Sequence, residues 1–191
     1  MSVVVNPHIR FVYEDYKALP ESMARQYELL DGEILMVPAP TTRHQFIAGN
    51  IHALLHTHVR SVRSGAVLSS PIDVVLGEGD AREVVQPDVL FISSERLHII
   101  VEAEVRGPPD VVVEVLSPST ETRDRTYKRH LYGRYGVREY WLLDPERETL
   151  EVYAAANTDI EQPRTLRVSD MFSSPLFAGL VISLSDIFHL R

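Results

Sequence analysis

The spacing of apolar and polar residues along this chain predicts a short series of elements. Residues 27–37, YELLDGEILMV, read as a β-hairpin turning at Asp31-Gly32, a favoured two-residue connection. Pairing about that turn puts Tyr27, Leu29, Ile34 and Met36 on one face, and Glu28, Leu30, Glu33 and Leu35 on the other. Between 43 and 59, Phe46, Ile47, Ile51, Leu54 and Leu55 recur at helical spacing. Strand-like runs follow at 66–76, with a break expected near Ser70-Pro71, then at 84–92 and 111–116. A second helix is predicted over 120–135 and ended by Gly136. A strand at 139–143 turns through DPERE into another at 150–153. The final apolar run, LFAGLVISLSDIF, predicts one more strand and a short helix capped by Ser185. The core order is helix, three strands, helix, strand. That order predicts an α/β fold with a mixed central sheet, an N-terminal β-hairpin and accessory C-terminal strands.

Composition narrows the picture. The 191 residues suit one domain, 1–191, and are 45% hydrophobic and 24% charged, an ordinary soluble balance. With no cysteine, disulfides and thiolate metal sites are excluded. MSVVVNPHIRF has no basic segment followed by a long apolar run, so no signal peptide is expected. No apolar stretch reaches membrane-spanning length, and the expected location is the cytoplasm. The net charge of −8 argues against tight non-specific binding to nucleic acid, whose phosphates favour basic surfaces.

Chemistry enters where carboxylates interrupt apolar strands. Glu114 lies among valines in DVVVEVLSPST, and Asp88 sits in QPDVLFI. An unpaired buried carboxylate would cost several kcal/mol, on the order of the ion-burial penalty. If the two strands are neighbours, the side chains can approach to about 5 Å. Two carboxylates with water and a backbone carbonyl suit Mg²⁺. Asp110, four residues before Glu114 on the same strand, lies about 13 Å away and is too far to share an ion. On the second helix Asp124, Lys128 and Tyr132 fall on one face, and Lys128 could position a nucleophilic water and offset charge on a phosphoryl oxygen.

The run PPDVVVEVLSPSTETRDRTYKRHLYGRYGVREYWLLDP, with upstream YELLDGEI, RHQ and QPDVLF, resembles the Uma-two-type restriction endonuclease family. That family is a branch of the PD-(D/E)XK nuclease superfamily. The resemblance spans about 27–153, with a weaker echo in the tail. It implies that Pro87-Asp88 is the PD element and Glu114 the acidic member of the (D/E)XK element. The superfamily's lysine belongs two residues after Glu114, where this chain has Leu116; Lys128 matches the position to which this branch has moved it. Glu28 matches an acidic residue of the upstream hairpin, and His44 the histidine opening the first helix. The resemblance implies Mg²⁺- or Mn²⁺-dependent hydrolysis of phosphodiester bonds in nucleic acid, DNA in the first instance. A homodimer would suit an enzyme cutting duplex DNA, though no motif shows one.

Each residue also has a plainer reading. Glu114 could pair with Arg123 or Arg138, Asp88 could form a turn after proline, and Lys128 could be a solvated helix residue paired with Asp124. Ser117, Ser119 and Thr120 read as helix-capping residues rather than nucleophiles. Tyr132, Tyr135 and Trp141 read as packing. His52, His56 and His58 offer a competing zinc site that lacks further ligands. Arg123, Arg125, Lys128, Arg129, Arg134 and Arg138 make 120–140 the locally basic region, either guiding a phosphate backbone or forming an ordinary charged helix face. A fold-retaining module without catalysis is the alternative to a nuclease.

Overall fold

Two sheets of different size meet across a shared apolar layer. The computed structural model describes residues 10–20, 27–154 and 163–189; residues 1–9, on which the signal-peptide reading largely rests, lie outside that range. In chain order the elements are α1 (Tyr13–Lys17), β1 (Tyr27–Leu30), β2 (Glu33–Met36), α2 (Thr42–Val62), β3 (Gly65–Ser69), β4 (Asp73–Leu76), β5 (Glu83–Val85), β6 (Val89–Ser93), β7 (Glu104–Arg106) and β8 (Val111–Val115). Helix α3 (121–135) follows, then β9 (Glu139–Asp144), β10 (Thr149–Ala154), β11 (Arg164–Arg167), β12 (Met171–Phe172), β13 (Ile182–Ser183) and α4 (Leu184–Phe188).

The larger sheet has the order β11-β10-β9-β8-β6-β3. Strands β3, β6 and β8 form an antiparallel meander, and β9 joins β8 in parallel. A parallel neighbour needs a crossover, and α3 supplies it. The helix, three strands, helix and strand of the core are therefore α2, β3, β6, β8, α3 and β9. The smaller sheet, β2-β1-β5-β4-β7, contains the predicted hairpin in the expected register, Tyr27↔Met36 through Leu30↔Glu33. Asp31 and Gly32 both have positive φ, 47° and 76°, as a turn of this hand requires.

Two predicted strands each divide between the sheets. The run 66–76 breaks at Ser70-Pro71 into β3 of the large sheet and β4 of the small one, and 84–92 breaks at Pro87-Asp88 into β5 and β6. Proline has no N–H to give to a ladder, so the chain changes sheets at both points. Ser183, rather than Ser185, precedes α4, and its side chain makes no capping bond; the two hydroxyls bond each other at 2.8 Å. Helix α1 and strands β7 and β11 are too short or too polar to have shown a period.

Alternation along β8 explains how one strand is buried on both faces. Val111, Val113 and Val115 pack with Ile47, Ile51, Leu55 and Val59 of α2 and with Trp141. Val112 packs toward Leu131 and Tyr132 of α3 and toward Leu30, Val74 and Val85 of the small sheet. Period two then places Glu114 on the α3 side. Among the described residues, no helix is long and apolar enough to cross a membrane.

Candidate functional site

Glu114 meets a lysine. Its side chain is 6% exposed, and Lys128 Nζ donates to Oε1 at 2.9 Å while the Tyr132 hydroxyl donates to the same oxygen at 3.0 Å. The lysine is itself buried and shared. Its ammonium lies 2.8 Å from Glu28 Oε1 and 3.6 Å from Asp124 Oδ1. Neither arginine weighed as a partner of Glu114 takes that place: Arg123 lies 3.7 Å from Glu28 Oε2, and Arg138 pairs with Asp110.

Local structure explains this convergence. Helix α3 is α-helical at Glu121–Arg123 and Arg129–Tyr135 but π-helical at Asp124–Lys128. Such bulges are frequent at functional sites. Here the wider turn lies where Asp124 and Lys128 are both buried against the end of β8. Ahead of it, Ser117 bonds Ser119 and Thr120 through their hydroxyls, and Thr120 makes no side-chain cap, so these residues shape the loop instead of capping the helix. Glu28 is 1% exposed, and its Oε1 also accepts the Gln86 backbone N–H at 2.9 Å. Gln86 in turn donates to Asp73, which also accepts the Tyr16 hydroxyl at 3.0 Å. Gln86, Tyr16 and Asp73 escaped the sequence reading. The polar residue before Pro87 was the one available signal.

Asp88 precedes β6. The β6–β8 register runs Val89↔Val113, and one further step sets Asp88 opposite Glu114. Its Oδ2 accepts the Val115 N–H at 2.8 Å and lies 3.2 Å from His44 Nε2. His44 comes from the first turn of α2, where its own N–H is capped by Thr41 Oγ1 at 3.2 Å. Asp110 sits at the other end of β8, where its Oδ2 accepts the Ser93 N–H and Arg96 and Arg138 pair with Oδ1.

Glu28, Asp88, Glu114, Lys128 and His44 all line one recess of about 260 Å³, walled by Val37–Thr41 on one side and Ser117–Thr120 on the other. The structure thus brings together the five residues that the sequence reading assigned to the site, while Asp110 and the histidines at 52, 56 and 58 lie outside this recess. Four carboxyl groups, Glu28, Asp88, Glu114 and Asp124, share it with Lys128, Arg123 and His44. Burial pushes the Glu114 carboxyl up to about 8; Lys128 pulls it down, while Asp124, Asp88 and Glu28 push it further up. Burial likewise raises Asp124. Burial opposes charge on Lys128, yet Glu114, Glu28 and Asp124 hold the ammonium well above its ordinary range. One ammonium shared among three carboxylates stays charged and leaves them undercompensated. Burial would lower His44, but Asp88 outweighs it and raises the imidazole.

Both strand carboxylates are anchored by one oxygen, Oε1 of Glu114 and Oδ2 of Asp88, which leaves Oε2 and Oδ1 for another partner. Glu28 Oε2 and Asp124 Oδ1 are buried without a hydrogen-bond partner. Among the described residues, no three of His, Cys, Asp and Glu gather closely enough to hold a metal ion. Two open carboxylate oxygens are the kind of donor that a hard dication such as Mg²⁺ takes when water completes its shell. Zinc sites want three or four protein ligands. His52 and His56 stack on each other, centroids 5.5 Å apart, without a third ligand.

Residues 13–185 match the Uma2 family, described as "Putative restriction endonuclease". The chain belongs to that family. This Uma2 chain is also similar in fold to a crystal structure titled as a putative nuclease belonging to DUF820 from Anabaena variabilis ATCC 29413. The two are 21% identical, with a TM-score of 0.77, over 93% of this chain and 97% of the other. No curated protein matches the Uma2 chain.

In the basic region of this Uma2 chain several arginines pair with carboxylates of the chain itself. Arg125 pairs with Glu121, Asp144 and Glu151, Arg134 with Glu83, Arg138 with Asp110 and Arg123 with Glu28. The Arg129 guanidinium lies over the Tyr153 ring, 5.6 Å from its centroid. These charges tie α3 to its surroundings, which accounts for a basic helix in an acidic protein.

Proposed function

We propose that this chain is a divalent-cation-dependent nuclease hydrolysing phosphodiester bonds, with DNA as the substrate class and Asp88, Glu114 and Lys128 as its central residues. The observation that carries the reading is the pair of strand-end carboxylates, each fixed by one oxygen and open at the other, facing a buried ammonium. Family membership and the fold likeness point the same way.

Asp88 and Glu114 would hold Mg²⁺ or Mn²⁺, with Glu28 supporting through Lys128. Bound there, the cation supplies Lewis-acid polarisation of the phosphoryl group and acidifies a water molecule. The carboxylate neighbours of Lys128 favour its ammonium form. It serves as a fixed donor and positive charge, orienting Glu114 and offsetting charge that builds on the phosphoryl oxygens. Tyr132 locks the Glu114 carboxylate in place, and His44 does the same for Asp88.

The test is a nuclease assay with Mg²⁺ or Mn²⁺ on plasmid and single-stranded DNA, beside calorimetric titration of the cation. Cleavage is expected in the parent protein and lost, together with cation binding, in Asp88→Asn and Glu114→Gln. Cleavage that survives in both variants would refute the assignment. One observation favours a second reading, a binding module without turnover: Arg125 and Arg134 of α3 and Arg138 beyond it are internally paired. A folded parent protein that binds no cation and cuts neither substrate would establish that alternative.

A further inference from the structure

The recess at Asp88 continues along α2. A smaller cavity of about 120 Å³ is lined by Gln45, Gly49 and His52 of α2, by Ser69 and Ser70 at the end of β3, and by Asp88. Gln45, Ser70 and Asp88 line both cavities, so the two make one groove running from the Ser117–Thr120 loop past Asp88 to His52.

Gly49 is the unexpected residue in this groove. Glycine weakens a helix interior more than any residue except proline, and α2 runs 21 residues with Gly49 well inside it. The usual structural reasons for glycine are absent. Gly49 is not among the positive-φ residues, and a Cβ built on it meets nothing within 4 Å. The fold does not require a bare backbone there. A bare backbone facing this groove leaves room for close approach by a molecule that is not part of the chain.

Its neighbours indicate what that molecule is. Gln45 and His52 lie four residues before and three residues after Gly49, hence on the same face of α2. They flank the gap with an amide and an imidazole, and exposed Ser69 and Ser70 stand across from them. Short polar donors around a bare backbone suit phosphate and sugar oxygens, the groups that fix a nucleic-acid strand in register without reading its bases. We propose that this groove seats the sugar-phosphate backbone flanking the phosphate bound at Asp88 and Glu114. Gly49 lies under the strand, and Gln45 and His52 donate to its oxygens. The inference rests on the nuclease reading and adds to it where the strand runs.

The experiment measures fluorescence anisotropy of a labelled single-stranded DNA oligonucleotide with Ca²⁺ in place of Mg²⁺, the oligonucleotide being checked for integrity afterwards so that binding is read apart from cleavage. Gly49→Trp should weaken binding about tenfold or more, a loss of the size given by one or two backbone contacts. Val62→Trp, at an exposed position at the far end of the same helix and in the lining of neither cavity, should bind as the parent does. Gln45→Ala/His52→Ala, which adds no bulk, should weaken binding as Gly49→Trp does. Gly49→Ala should raise the melting temperature, because the fold gains a better helix former. Parent-like binding by Gly49→Trp, or equal losses in Gly49→Trp and Val62→Trp, overturns the groove while leaving the cleavage assay to judge the nuclease reading. A folded parent protein that neither binds the oligonucleotide nor cuts DNA overturns both.

Discussion

Replacing Lys128 by methionine tests whether the buried ammonium holds the site together. Methionine preserves most of the side chain's length and removes only the charge. In the parent protein the ammonium lies 2.8 Å from Glu28, 2.9 Å from Glu114 and 3.6 Å from Asp124, and the lysine side chain is 5% exposed. Without it, three buried carboxylates face one another, and among the described residues Arg123 is the remaining cation within ion-pair distance of them. Removing one partner of a buried pair costs about 3–5 kcal/mol, because the other charge is left in a poor solvent. For a chain of this size that becomes a fall in melting temperature of roughly 6–20 °C. Part of the loss should return in Lys128→Met/Glu114→Gln, where one of the stranded charges is removed as well. Urea denaturation at neutral pH, with the slope checked to be unchanged, measures all three proteins. A Lys128→Met protein within about 0.5 kcal/mol of the parent would refute the reasoning, since such a value belongs to a solvated surface lysine. So would a double variant less stable than the single one.

Three further outcomes are expected. Asp110 should stabilise the fold in a pH-dependent way: burial alone would raise its carboxyl, but the Ser93 N–H and Arg96 outweigh burial and lower it. A depressed folded pKa contributes stability above the unfolded value and loses it as pH falls through the folded one. Asp110→Asn should therefore be about 1.5–3 kcal/mol less stable at pH 7, with the gap closing below about pH 4 in acid denaturation. Ile51→Ala, under the large sheet, should cost about 2–5 kcal/mol by thermal or urea unfolding, whereas Val181→Ala, 59% exposed, should stay within about 0.5 kcal/mol. Protein purified without a histidine tag should carry no stoichiometric zinc by elemental analysis; zinc lost on His52→Ala would contradict the geometry at His52 and His56.

Periodicity reveals the core of this fold because the core elements each bury one regular face. The stripe on α2, the valines of β8 and the Asp31-Gly32 turn all state their structure locally, and all hold. The small sheet is less legible. β4, β5 and β7 are three or four residues long, and two of them continue a run that begins or ends in the other sheet. A proline marks where the chain breaks, but it cannot tell which partner the next residues take. The pairing is a tertiary fact, fixed by the apolar layer that Leu30, Val74 and Val85 share with Leu90, Val112 and Leu142.

The site shows the same division between what a strand states and what packing decides. Asp88 and Glu114 are conspicuous because each interrupts an apolar strand. Tyr132 is not, since a tyrosine among apolar residues reads as core, and its hydroxyl contact with Glu114 appears only once α3 is laid on the sheet. The place of Lys128 follows from the same packing. Residue 116 points to the same side as Glu114 by alternation, and Leu116 there is 5% exposed within the cluster shared by both sheets and α3. An ammonium at 116 would enter that apolar layer. Lys128 instead approaches from α3, where the π turn brings it to Glu114 and Glu28 while Leu116 completes the core. The strand can supply the carboxylate because the helix supplies the cation. Exchanging the two, as Leu116→Lys/Lys128→Leu, should lower stability rather than recreate the site.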